Sequence, residues 1–224
     1  MFERYAVFFT PIGSLAQFGA AWLGWDSGSG RPVPHPDVPG IDVATVTATP
    51  RKYGLHGTLK APFHLAEGAS APALAQAMAE FAAQRTPVAL GGLTLRHDHG
   101  FVALRPVGDT QALRDLAADI VRRFDPFRAD HTEQDIARRR RAPLTARQDR
   151  QMLYWGYPFV FDDFHFHLTL TGALPPAEGA AVIKALTPHL AAFADRPFSI
   201  DAISLMGQDS AGLFHVIHRY ALTG

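Results

Sequence analysis

The spacing of apolar and polar positions divides the chain into a readable series of elements. Tyr5 to Phe9 is a β-branched and aromatic run closed by Thr10-Pro11, and it predicts a buried strand. Leu15, Phe18, Trp22 and Leu23 recur at helical spacing, which predicts a helix over 14–23. Residues 26–40 are rich in Gly, Ser and Pro and predict a mobile loop, long enough to act as a lid. A short helix over 41–49 should end near Pro50. Helical spacing returns at Ala71–Ala83, with Leu74, Met78 and Phe81 inward, and at Thr110–Phe124, with Leu113, Leu116, Ile120 and Val121 inward. Between these helices, 87–95 and 101–105 predict two strands around the turn His97-Asp98-His99-Gly100. Helices over 132–142 and 145–154 are separated by Pro143. A helix over 177–192 and strands over 198–206 and 213–222 complete the chain.

Two stretches with strand periodicity carry the same polar pattern. Gly54-Leu-His56-Gly-Thr58-Leu-Lys60 and Phe164-His-Phe-His167-Leu-Thr169-Leu each contain His-x-Thr-Leu, and the two histidines are 111 residues apart. In a strand successive side chains alternate faces, so His56, Thr58 and Lys60 should share one side. His165, His167, Thr169 and Thr171 should do the same, with Phe164, Phe166, Leu168 and Leu170 turned the other way. Chance supplies about one His-x-Ser/Thr in a chain of this composition, and about a tenth of one once Leu must follow.

The elements around the two motifs also match. From His56 to Phe101 is 45 residues and from His167 to Phe214 is 47, and both spans run motif strand, helix, strand, turn, strand. Matched order at matched spacing marks an internal repeat. Two such repeats, with approximate lobes at 41–124 and 159–224, should pack about a pseudo-two-fold axis that brings the motif strands together. Residues 1–40 would then add an N-terminal strand, helix and loop, and 125–158 a helical connection, all within one domain.

Composition narrows the function. Lys plus Arg equals Asp plus Glu, 21 against 21, so no net field draws the chain to a membrane or to long nucleic acid. Cysteine is absent, which excludes disulfides, thiolate metal sites and cysteine nucleophiles. No signal-peptide pattern opens the chain and no run is long enough to span a bilayer, so a cytoplasmic protein is expected. There is neither a Gly-rich phosphate loop ahead of a helix nor a Gly-x-Ser-x-Gly.

Two imidazoles with ordinary pKa near 6.5 can divide acid–base work at neutral pH. Two hydroxyls and an ammonium beside them are donors, and donors suit an anion. The set fits in-line attack on a phosphodiester: one histidine activates water, the other protonates the leaving oxygen, and Thr58, Thr169 and Lys60 hold the non-bridging oxygens. No metal and no cofactor is needed for that chemistry.

The paired motifs resemble the 2H phosphoesterase superfamily. Over the longer blocks Arg51–Phe63 and Trp155–Gly172 the chain is similar to a bacterial branch associated with phosphonate metabolism. The resemblance implies an α+β fold, duplicated and two-lobed, with antiparallel sheets around a central cleft and helices on the outside. It maps the motif positions onto His56, Thr58, His167 and Thr169. It also makes Arg51, Tyr53, Lys60 and Tyr157 candidate substrate contacts. The implied reaction is metal-independent hydrolysis of a small cyclic phosphodiester, with a ribose cyclic phosphate as the substrate the family context points to. A monomer acting on a small phosphorylated molecule is expected, an RNA terminus being the less favoured ligand.

Two rival readings use the same residues. His97-x-His99 and His165-x-His167 each put two imidazoles on one face of an extended segment, as a zinc hydrolase would need. A protein that binds a phosphate ester or an RNA end without turnover would show the same motifs. The basic run Arg138–Arg141 reads as a solvated helix face rather than a substrate contact.

Overall fold

The computed structural model describes residues 2–193 and 196–224. The chain opens with β1 (Arg4–Phe9) and α1 (Gly13–Leu23). The stretch 26–40, expected to be a mobile loop, is pinned to the body. It contains most of a small hairpin of β2 (Trp25–Asp26) and β3 (Arg31–Pro32). There the indole of Trp25 donates to the Phe214 carbonyl at 2.9 Å, and the Val216 amide donates to the Ser27 carbonyl at 2.8 Å. One turn of helix, α2 (Val43–Val46), starts at Asp42, whose carboxylate accepts from the Thr45 amide.

The first repeat runs β4 (Gly57–Phe63), α3 (Ala71–Ala82), β5 (Val88–Leu90), β6 (Leu93–Asp98) and β7 (Phe101–Pro106). Three helices connect it to the second: α4 (Gln111–Phe124), α5 (Glu133–Arg139) and α6 (Ala146–Trp155). Thr132 and Thr145 open α5 and α6 with capping boxes, in which the threonine and the third helical residue each satisfy the other's amide. The second repeat runs β8 (Leu168–Thr169), α7 (Pro176–Leu190), β9 (Phe198–Ile200), β10 (Ala202–Gln208) and β11 (Phe214–Ala221). Element order therefore agrees with the spacing, except that each expected strand after the helix is cut in two. The short pieces β5 and β9 leave the main sheet and pair with each other, Val88 opposite Ile200 and Leu90 opposite Phe198. Equivalent pieces of the two repeats thus meet.

Seven strands form one antiparallel sheet in the order β11-β10-β1-β4-β8-β7-β6. The motif strands are neighbours at its centre, joined through the single pair Gly57 and Leu168. Each repeat's terminal hairpin lies beyond the other repeat's motif strand, β10–β11 on the β4 side and β6–β7 on the β8 side. The helices follow: α3 packs on β10 and β11, and α7 on β6 and β7.

One face of the sheet carries the main core, in which Val7, Leu59, Leu104, Leu168 and Leu205 meet Leu74, Met78, Leu113, Ile120 and Leu186 of the helices. The other face carries a smaller cluster of Ala6, Phe8, Met206 and Phe214, with Tyr53 and Val216 against it. Alternation assigns the faces as expected in residues 164–170, where Phe164, Phe166, Leu168 and Leu170 are all buried in the main core. The polar side chains of the second motif therefore open on the side away from the helices, although only Leu168 and Thr169 make ladder pairs. No helix among the described residues is long and apolar enough to cross a membrane.

Candidate active site

His56 is positioned by the turn before its strand. Gly54 has φ 68° and ψ 177°, a conformation open in practice only to glycine, and it aims its carbonyl at the imidazole. His56 Nδ1 donates to that carbonyl at 3.0 Å. A carbonyl oxygen only accepts, so the proton sits on Nδ1 and the neutral ring presents a lone pair at Nε2. The Thr58 hydroxyl lies 3.2 Å from Nε2 and donates to it in this state. Phe8 stacks on the ring at 4.0 Å between centroids, and Tyr53 flanks it at 5.3 Å. Burial among these rings, with a smaller contribution from the charge of His167, pushes the imidazole down to about 4, against a partial upward pull from the Gly54 carbonyl.

His167 repeats the arrangement. Its Nδ1 donates to the carbonyl of His165, also two residues upstream, at 2.7 Å. Its ring lies 5.4 Å from that of Phe101. Burial again lowers the imidazole's pKa, and nearby Arg105 adds to the effect, while the His165 carbonyl and Asp98 act the other way.

The two imidazoles, Thr58 and Thr169 line one cavity of about 360 Å³, with Phe8, Tyr53, Phe101 and Tyr157 among its other walls. The sequence motifs are thereby brought together. Thr58, Phe101, Tyr157 and His167 also border a second hollow of about 310 Å³, which continues past Arg105, His99 and His165. None of residues 26–40 lines either one. Thr171 reaches the first cavity, but its hydroxyl is committed to structure, accepting from the Val102 amide and donating to the Gly172 carbonyl, both at 2.9 Å.

Two expected contacts lie elsewhere. Lys60 does not share a face with His56 and Thr58. Phe8 pairs with Thr58 but Val7 with Lys60, so β4 carries an extra residue here, and a second before Phe63 pairs with Tyr5. A bulge of this kind re-aims the side chains that follow it. Lys60 consequently enters the helix side, where Nζ donates to Asp125 Oδ1 at 3.0 Å and to the Val121 carbonyl at 3.2 Å. Arg51 is used as a tie: its guanidinium donates to the carbonyls of Leu23 and Ala44 at 3.1 and 2.6 Å. Tyr53 and Tyr157 do face the cavity, and burial raises the pKa of the Tyr157 phenol.

Three of the four arginines in the basic run have side-chain partners. Arg138 pairs with Asp135 and Arg140 with Asp149, while Arg139 lies over the ring of Tyr157 at 5.9 Å. His97 is taken up by packing: Nε2 donates to the Leu174 carbonyl at 3.1 Å, and the ring sits against Gly179 of α7. Among the described residues no three His, Asp or Glu side chains converge as a metal-binding group. Sequence reasoning missed Phe8, Phe101 and Arg105 as cavity walls. Strand parity could have found Phe8, since it alternates with the core residues Val7 and Phe9.

Comparison with known proteins gives three kinds of match. Two curated relatives are both called ribose 1,5-bisphosphate phosphokinase PhnN. The one from Janthinobacterium sp. (strain Marseille) is 38% identical over 218 residues, covering 93% of this chain and 48% of the relative. The one from Laribacter hongkongensis (strain HLHK9) is 33% identical over 213 residues, covering 93% and 49%. The chain thus spans about half the length of the curated relatives it matches. Among solved structures, one described as a phosphoesterase matches with a TM-score of 0.44 at 15% identity over 100% of both chains. E. coli LigT complexed with NADP+ matches with a TM-score of 0.45 at 15% identity over 100% of this chain and 99% of that one. A family model described as a protein of unknown function, DUF1045, covers residues 58–215, and with them most of the sheet and both threonines of the motifs. The chain belongs to the DUF1045 family.

Proposed function

We propose that this chain is a phosphodiesterase that opens a small cyclic phosphodiester with two histidines as general base and general acid, without a metal ion. The observation that carries the reading is the shared cavity of about 360 Å³ into which both His-x-Thr pairs open. In each pair the imidazole is oriented by the carbonyl two residues before it. A cavity of that size suits a small ligand.

The different surroundings of the two rings support a division of roles between them. His56, the more buried, stays neutral and takes a proton from water through Nε2. The water oxygen forms the new bond to phosphorus, and the bond from phosphorus to the ring oxygen breaks. Protonated His167 delivers its proton to that leaving oxygen. An anionic substrate raises both imidazole pKa values, so His167 gains its proton as the substrate enters. Thr58 and Thr169 donate to the non-bridging oxygens, and Thr58 leaves His56 Nε2 to water when it does so. The name of the curated relatives, ribose 1,5-bisphosphate phosphokinase, supports a phosphorylated ribose as the substrate class, and the proposed two-histidine chemistry narrows it to a ribose cyclic phosphate. The equal numbers of acidic and basic residues favour a small molecule over an RNA chain.

The test is a screen of 2′,3′- and 1,2-cyclic phosphates in the presence of a chelator, followed by single-turnover rates for His56→Ala and His167→Ala. Each variant should be slower by about 100- to 10,000-fold, the range of one positioned proton transfer. Variants as fast as wild type would overturn the roles given to these residues. An activity that the chelator abolishes and zinc restores would overturn the metal-free reading.

A further inference from the structure

Beyond the hollow beside His167 lies a further one of about 590 Å³ that the two-histidine chemistry does not use. Arg105 and His165 border both this hollow and the one beside His167, so the two hollows adjoin across these side chains. Its walls bring together Arg96, Arg105 and Arg114 with His99 and His165, from β6, the turn after it, β7, α4 and the segment before β8. Among the residues that line it one carboxylate is present, Asp98, which pairs with Arg105 at 2.6 Å. Arg96 and Arg114 make no ion pair with any described residue.

A patch elsewhere on the molecule gives the contrast. Arg85, Arg122 and Arg123 also gather around a hollow, but each is paired there, with Asp119 or Glu80. Uncompensated like charges around one space repel, and an anion in that space relieves the repulsion. Two local details agree. Arg105 Nε is buried with no hydrogen-bond partner. Arg114 lies near the start of α4, where the Asp109 carboxylate accepts from the Gln111 amide at 2.8 Å, while the guanidinium itself remains without an ion-pair partner among the described residues. His165 and His99 line the same hollow as the three arginines; burial, and then the charges of Arg105, Arg114 and His99, lower the pKa of His165 against an upward pull from Asp163.

We infer that this hollow is a second anion subsite, and that the substrate carries a phosphate monoester in addition to the diester held between His56 and His167. The inference rests on the phosphodiesterase reading for the position of the diester, but the subsite itself is defined by Arg96, Arg105 and Arg114. A monoester dianion matches two unpaired guanidiniums better than the single charge of a neighbouring phosphodiester in an RNA chain.

The experiment compares a nucleoside 2′,3′-cyclic phosphate with the same compound bearing a 5′-phosphate. Wild type should favour the 5′-phosphorylated compound by about tenfold or more in kcat/KM, mainly through KM, as one charge-assisted contact would provide. The Arg96→Met, Arg114→Met double variant should lose that preference, and Arg114→Lys, which keeps the charge, should retain part of it. Calorimetric binding of the same two ligands to the His56→Ala, His167→Ala double variant reads the subsite without turnover. A binding preference that disappears when Arg96 and Arg114 are also replaced upholds the subsite even if no cyclic phosphate is cleaved. Equal treatment of the two compounds by wild type in both assays would overturn it, as would a preference that survives in the arginine variant. A dinucleotide whose internal phosphodiester gains as much as the monoester would overturn the choice of a monoester.

Discussion

Phe8 lies against His56 with ring centroids 4.0 Å apart, closing one face of the imidazole to water. This desolvation has a consequence for stability. The folded chain holds His56 neutral down to about pH 4, whereas the unfolded chain takes up a proton near 6.5. Between those values the unfolded state binds more protons, so stability falls as the pH falls from 6.5 towards 4. At an equivalence of 1.36 kcal/mol per pKa unit the loss from this one group is about 3 kcal/mol. Urea titrations at pH 7 and pH 4.5 should show a smaller drop for His56→Gln than for wild type. Phe8→Leu should move the His56 proton titration, followed by NMR, upwards towards 6.5.

The same shift sets the shape of the rate profile. In kcat/KM, which reports the free enzyme, the limb where the base protonates should lie near pH 4. The limb where the acid deprotonates should lie below 6.5, because the pKa of His167 is also lowered. The optimum of kcat/KM is then on the acid side of pH 6.5. In kcat, which reports the occupied site, the bound anion should move both limbs to higher pH. Superimposable profiles would contradict the anion-coupled protonation of His167.

Lys60 and Asp125 give a test of the bulge. Lys60 is 3% exposed and bonds to Asp125, which also accepts from Arg128 Nε at 2.9 Å. Asp125→Ala would leave a buried ammonium without its carboxylate and should cost about 3–5 kcal/mol. Lys60→Met keeps the volume and leaves Asp125 with Arg128, so it should cost less in a urea titration. The Met variant should also keep the wild-type KM for substrate. A large rise in KM would place the ammonium in the site after all.

Gly57 controls how closely the two motif strands approach. A Cβ there would stand 2.3 Å from the ring of Phe166, which is buried in the main core. Gly57→Ala should therefore push β4 away from β8 at their one ladder pair. Overpacking of this kind costs about 1–3 kcal/mol. Because the two histidines lie on either side of that pair, kcat should fall with stability, and Phe166→Leu in the same chain should restore part of both.

Much of this was legible in the sequence, because side-chain periodicity is a local property. The apolar runs around Phe8, Met78, Ile120 and Leu205 announce their strands and helices wherever they are placed. His-x-Thr puts an imidazole and a hydroxyl on one face of an extended segment with no help from the rest of the chain. Only the tertiary structure decided what depends on register. Lys60 continues the same alternation on paper, yet the extra residue in β4 exists only in its pairing with β1, and that pairing turns the ammonium into the helix side. Arg96, Arg105, Arg114 and His165 come from four separate elements, and no spacing along the chain foretells that they surround one hollow. Cross-strand pairing and packing bring them together, and those contacts join residues whose separation in sequence carries no period.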